Sequence, residues 1–287
     1  MATSTRIPSL SILMDPAGKD LLQELYGQVI ENVEKGTISS ILKNRDLSGL
    51  PTSGSVEVKR FANATSLSYG TARAAGKGEF MKAKPVVVQI DRDREIVEEI
   101  EEKDTLLYGI DGLLTRRSQN HAKSLIRELE RSFFTEAVAG GTAVVPTATD
   151  ANEIIEDLIQ VIETTHNDYV DGVDRDMISI VMSTAMYGKM RNFLDVGVGN
   201  AHIQTNVESI AAFHGVRVFS SVYLPAGIDA IAMVDGSVAQ PVLPRTYQPE
   251  KIPLSNAYAV SLFYSYGVKA VTPDLIAYIE EEEEEEE

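Results

Sequence analysis

The sequence has no cysteine, no tryptophan, four histidines among 287 residues and no long apolar run. Without cysteine there is no disulfide framework, no thiolate metal site and no cysteine nucleophile. That composition fits a reducing compartment. No stretch approaches the roughly 18 consecutive apolar residues of a membrane span. The start, Met1 to Met14, carries one arginine and no apolar core, so it does not read as a signal peptide. A soluble protein made in a cytoplasm, with no membrane partner, is expected.

The familiar chemical signatures are missing too. His121, His166, His202 and His214 show neither HxH nor HxxxH spacing, which leaves a zinc site unsupported. His121 is expected on the surface of a long helix, and the others in loops or at helix ends. Asn167, Asp168, Asp171, Asp174 and Asp176 resemble a calcium loop, but Tyr169 interrupts the odd-position ligands and no glutamate closes it, so an acidic turn is expected. Gly197-x-Gly199 follows a helix and lacks the third glycine of a dinucleotide fingerprint. Neither GxxxxGK[ST] nor GxSxG occurs. Glu98, Glu99, Glu101 and Glu102 read as a solvated helix face. No catalytic residue, metal site or cofactor is therefore expected.

What is present is a core and a lopsided charge. Apolar residues make up 44% of the chain, enough for one large domain or two modest ones. The net charge is −17, of which the terminal run Glu280–Glu287 supplies eight, leaving −9. Such a body repels nucleic acid at long range, which argues against high-affinity DNA binding but not against loose enclosure of DNA.

Along the chain, residues 1–54 read as an extended arm followed by a helix near Lys19–Lys35, with Leu21, Leu22, Leu25, Val29 and Ile30 on one stripe. Residues 55–91 read as a long β-hairpin: Val56 and Val58 alternate on one strand, Val86, Val88 and Ile90 on its return. Between them, Asn63–Lys84 is rich in Gly, Ala, Ser and Thr, with few residues able to anchor a core. Within 55–85, Lys59, Arg60, Arg73, Lys77, Lys82 and Lys84 outnumber Glu57 and Glu79, so the hairpin carries +4 and the rest of the chain −21. An acidic stretch, Glu95–Asp104, is expected as a surface helix or turn.

A helix over 111–138 follows, with Ala122, Leu125, Ile126, Leu129, Phe133 and Ala137 on one face and Gly140-Gly141 as its stop. From Asp150, a candidate helix cap, the chain alternates helices and short strands: a helix to about Thr165, a strand at Met177–Met182, a helix at Tyr187–Asp195, and strands at Val216–Val222 and Ile228–Val234. A strand pair, Ala257–Phe263 and Tyr266–Thr272, closes the fold. The class is α+β.

This order of elements resembles the major capsid proteins of tailed bacteriophages, whose fold is shared with herpesvirus capsids and encapsulins. Gly215-Val216-Arg217-Val218 leading through Leu224-Pro225-Ala226-Gly227 into Ile228–Gly236 is similar to the axial-domain strand pair of that family. Tyr266-Gly267-Val268-Lys269-Ala270-Val271-Thr272-Pro273 is similar to its closing strand. The resemblance implies an N-terminal arm and helix (1–54), an extended loop (55–91), a peripheral domain (92–144 and 241–279) with a spine helix (111–138), an axial domain (145–240) and an acidic tail (280–287).

It also implies a structural subunit that assembles with itself into pentamers and hexamers of an icosahedral head around double-stranded DNA, and so a place in the virion. A separate scaffolding protein and a portal are implied partners. The extended loop would lie over a neighbour through Lys59, Arg60, Arg73, Lys77, Lys82 and Lys84, with Asp91–Asp104 as a candidate acidic counterpart. Some family members crosslink this loop through a lysine, and no pattern here selects one. Alternatives are an encapsulin-type compartment, a phage tail or connector protein, and a soluble α+β enzyme using carboxylates such as Asp171 or Asp174.

Overall fold

The computed structural model describes residues 13–197, 210–245 and 247–281, excluding the side chains of 102, 105–108 and 194–197. The arm up to residue 12, Gly199, His202 and the glutamates from 282 onward lie outside the described residues. In chain order the elements are α1 (Pro16–Gly36), α2 (Ile38–Leu42), β1 (Ser55–Phe61), α3 (Thr71–Ala75), β2 (Ala83–Gln89), β3 (Arg92–Ile100) and α4 (Glu102–Gly140). There follow β4 (Thr142–Ala143), α5 (Ala151–Glu163), β5 (Ile178–Met182), α6 (Thr184–Gly197), β6 (Ala212–Phe213), β7 (Val216–Ser220) and β8 (Ile228–Val234). The last are β9 (Val238–Ala239), β10 (Val242–Pro244), β11 (Gln248–Lys251), β12 (Tyr258–Tyr266), β13 (Lys269–Ala270) and β14 (Ile276–Glu280). The chain divides into two units. One comprises Met1–Ser40, Ile90–Glu130 and Pro241–Gly267, the other Ile41–Gln89, Arg131–Gln240 and Val268–Glu287.

The first unit is organised by β12. Its residues alternate, with Tyr258, Val260, Leu262, Tyr264 and Tyr266 buried and those between them half-exposed. That period of two is what a strand covered on one face requires. β3 pairs antiparallel along its whole length, from Tyr258↔Ile100 to Tyr266↔Arg92. β10 and β11 share the opposite edge. Against the buried face lie Leu22, Leu25, Val29 and Val33 of α1, and Ile110, Leu114, Ala122, Leu125 and Leu129 of α4, at helical spacing. Pro16 opens α1, where its missing N–H costs nothing.

The second unit holds a six-stranded mixed sheet in the order β4-β14-β8-β5-β7-β6. Its centre, β5, is buried at every residue, as expected of a strand covered on both faces. β5 and β7 are parallel with α6 in the crossover, while β8 runs antiparallel to β5. Ile155, Leu158, Ile159 and Ile162 of α5 complete the core over this sheet. Asp150 sits at the N-cap of α5, but its side chain makes no capping hydrogen bond.

Several expectations are corrected. The acidic stretch from Glu95 is a strand and not a helix or turn, because β12 supplies a full-length partner and Ile96, Glu98 and Ile100 turn inward at period two. The spine helix expected at 111–138 is part of a longer helical run, Glu102–Gly140, broken at Gly109 by a left-handed φ of 71°. Residues 131–144 fall in the second unit. The expected final strand pair is one long strand, β12, followed by the two-residue β13. Beyond Pro273, where the closing strand was expected to end, the chain forms β14, which joins β8 in the six-stranded sheet. His121, expected at the surface, is 3% exposed.

Candidate assembly surface on the extended hairpin

β1 and β2 pair in register from Ser55↔Gln89 to Phe61↔Ala83. At the root, Val56, Val58 and Val88 bury one face together with Ala239 and Val271. Asn44 hydrogen-bonds beside them, its backbone N–H donating to the Val238 carbonyl at 2.7 Å. The ladder ends one step beyond the strands, where the Ala62 N–H donates to the Lys82 carbonyl at 3.0 Å. The two arms then separate, and α3 forms the tip between Gly70 and Gly76, both at positive φ. Every residue from Asn63 to Pro85 is exposed. Among them are large apolar side chains, Leu67, Tyr69, Phe80 and Met81. Single exposed apolar residues are ordinary, but several on one projecting element mark an interaction surface.

Where the arms diverge lies an open cleft of about 440 Å³, lined by residues 62–65, 79–82 and 167–169. The turn at 167–169 also ties down the hairpin. The Arg60 guanidinium pairs with both Asp274 oxygens, at 2.6 and 2.5 Å. Asn167 donates to the same carboxylate at 2.6 Å. The Tyr169 ring lies 4.4 Å from the guanidinium carbon, and the Asn63 N–H donates to the Asp168 carbonyl at 3.0 Å. Burial acts to raise the Asp274 carboxyl, but the hydrogen bonds from Arg60 and Asn167 outweigh it and hold the group below its ordinary value.

The six cations expected at a subunit contact therefore divide. Arg60 is turned to its own chain, its side chain 13% exposed in the pair with Asp274, so it is not available as a surface cation. Lys59 is exposed, 4.0 Å from Glu57. Arg73, Lys77, Lys82 and Lys84 are exposed with no ion partner among the described residues. The acidic counterpart suggested at Asp91–Asp104 is partly spent as well: Glu98 pairs with Arg117, and Glu101 with Lys103 at 2.5 Å, while Glu95 and Glu99 stay exposed. Arg117 and burial pull the Glu98 carboxyl in opposite directions, and the Arg117 hydrogen bond prevails, lowering it. The part that Asp274, Asn167 and Tyr169 play at the hairpin root carried no signal in the sequence, since Asp274 stands 214 positions from the arginine it binds.

The carboxylates considered for an enzyme do not converge. Asp171 lies at the surface, 3.6 Å from His166, and Asp174 precedes a short 3-10 turn. Arg175 is clamped by Glu156 and Glu163, and His214 Nδ1 lies 3.0 Å from Glu156 Oε2. Among the described residues no three His, Asp or Glu side chains are grouped to hold a metal ion.

The family model for phage capsid protein matches residues 88–279, more than half of the chain. The chain belongs to the phage capsid protein family. No curated protein matches it by sequence. Solved structures with the same fold include one from Mycobacterium phage Che8, at a TM-score of 0.65 and 17% identity, covering 85% of this chain and 90% of that one. The capsid of cyanophage P-SCSP1u aligns at a TM-score of 0.64 and 12% identity, over 86% and 88%. A virus-like particle from Pyrococcus furiosus aligns at 0.56 and 11%, over 92% and 99%. Those likenesses cover more of this capsid chain than the matched segment does.

Proposed function

We propose that this phage capsid chain is the shell-forming subunit of an icosahedral head, assembling with copies of itself into pentamers and hexamers around double-stranded DNA. The role is structural and not catalytic. The observation that carries the reading is the hairpin: from Asn63 to Pro85 it is exposed throughout, and it presents four apolar side chains and four cations with no ion partner among the described residues. Such an element gains burial and hydrogen bonds only on another molecule. A second copy is the fitting partner, since outside the hairpin the chain carries −21, and opposite charge favours correct docking. The same acidity lets enclosed DNA move without wall adhesion. A separate scaffolding protein and a portal would complete assembly in the host cytoplasm, and the product would reside in the virion.

Expression of the full chain, with its scaffold where needed, followed by sedimentation and negative-stain microscopy, tests this reading. Closed shells or capsomers are expected. Persistent monomers under all conditions would overturn it, and tubes or small rings would favour a tail or connector role.

A further inference from the structure

We infer that Arg60, Asp274, Asn167 and Tyr169 form a clasp that sets the direction in which the hairpin leaves its own subunit, making them positioning residues for the contact with the next copy. The inference rests on the assembly role proposed above. A two-stranded ribbon has little stability of its own and pivots where its support ends. Here the support ends early: Val56 and Val58 are buried, but Phe61 is half exposed and every residue from Asn63 outward is exposed. At about 3.3 Å per residue, the eight steps from Phe61 to Tyr69 reach at most some 25 Å, and at that reach a swing of about 10° would displace the tip by about 4 Å. A contact made at the tip therefore requires a fixed root.

The clasp sits where that control is needed. Arg60 is the penultimate residue of β1, and its side chain is largely but not wholly covered. Its two-pronged bond to Asp274 fixes orientation as well as distance. Tyr169 covers the guanidinium face, and Asn167 occupies Asp274 Oδ2 from another side. The Asn63–Asp168 backbone bond adds a hold beyond the end of the strand. Each anchor rests on a rigid neighbour: Asp274 lies in the turn that leads into β14, and the 167–169 turn follows α5. A partly exposed ion pair contributes little to stability. Three contacts on the Arg60 side chain, with Asn167 bracing its Asp274 partner, meet at a pivot and are better explained by geometry than by stability.

The absence of native cysteine permits a direct test. Exposed Ser68 in the hairpin and exposed Gln160 on α5 are replaced by cysteine and spin-labelled, and their separation is measured by pulsed electron resonance on the isolated full-length chain. A single narrow distance distribution is expected for the parent. Arg60→Ala and Asp274→Ala should each broaden it severalfold while the thermal unfolding midpoint stays close to the parent's. The exchanged pair, Arg60→Asp with Asp274→Arg, should narrow it again. In assembly reactions the single variants should lower the yield of uniform closed shells at least tenfold.

A distribution as narrow in both single variants as in the parent would overturn the clasp. Broadening without any loss of shell yield or uniformity would overturn its positioning role. If the unaltered chain forms no shells at all, the assembly reading fails, while the distance measurement still decides whether the clasp holds the hairpin.

Discussion

His121 is enclosed in the first unit by groups from three elements. Its Nδ1 lies 2.8 Å from the Tyr247 hydroxyl, in the connection between β10 and β11. Its Nε2 lies 3.0 Å from Glu98 Oε2 on β3, but out of line for a hydrogen bond. Arg117, one helical turn earlier on α4, pairs with the same glutamate. Burial lowers the His121 pKa more than Glu98 raises it, and Arg117 lowers it further. The unfolded chain therefore takes up a proton near pH 6.5 that the folded one refuses, so this group's contribution is complete above pH 6.5 and is lost as pH falls. Urea denaturation should show the capsid chain weaker at pH 5.5 than at 7.5 by up to about 1 kcal/mol from this group, and His121→Gln should remove that increment. Glu130 works in the opposite direction. It is 2% exposed, Oε1 accepts the Ser39 N–H at 2.8 Å, and Oε2 has no hydrogen-bond partner among the described residues. Burial raises its pKa over the opposing hydrogen bonds, so its contribution is complete below the ordinary carboxylate value and declines as pH rises through the raised one. Glu130→Gln keeps the acceptor for Ser39 and should stabilise the chain at pH 8 by on the order of 1 kcal/mol, again read by urea denaturation.

Elements meet most closely at the end of α4. A Cβ on Gly141 would stand 2.8 Å from the Ala137 carbonyl oxygen, 2.9 Å from Ile276 Cγ2 and 3.1 Å from the Ile276 carbonyl oxygen. Two of those atoms are backbone, so the helix end or β14 would have to shift. Gly141→Ala should cost about 1–3 kcal/mol in a denaturation experiment, whereas Gly188→Ala, which meets nothing within 4 Å, should cost nothing measurable. The glycine pair was readable in the sequence as a helix stop, but its second task was not, because β14 arrives from 135 positions later by way of a proline that read as the end of the fold. β3 was missed for a related reason. Glu98 occupies an inward position that an alternating strand normally gives to an apolar residue, and the neighbouring glutamates then resemble a solvated helix. Only Arg117 and His121, brought alongside by α4, make an inward carboxylate tolerable. The helices α1 and α5 and the strands β5, β7 and β8 were legible because each carries a local pattern, a helical stripe, an alternation or a short apolar run, and needs no distant partner to be recognised.

For the molecule as a whole, the hairpin shows both what a sequence discloses and what it withholds. Its strands, its charge and its lack of anchoring residues were readable locally. That one of its six cations is turned inward to Asp274 was not, because ion pairing across 214 positions leaves no spacing to detect. The correction divides the hairpin into two parts with separate duties: a root, from Ser55 to Asn63 and Lys82 to Gln89, held to the second unit by the buried valines, the Arg60–Asp274 pair and the Asn63–Asp168 bond, and a tip that is exposed throughout. Deleting 62–82 would remove the Asn63–Asp168 bond along with the tip and confuse the two. Replacing Ala64–Phe80 by a short glycine-containing turn keeps Arg60, Asn63 and the Ala62–Lys82 bond. Because the excised residues are all exposed, they contribute little burial to the isolated subunit. The shortened chain should unfold within about 0.5 kcal/mol of the parent in urea. Under conditions where the parent closes shells, it should sediment as subunits or open capsomers. A large loss of stability would place the tip in the subunit's own core, and normal shells from the shortened chain would remove the tip from the assembly contact.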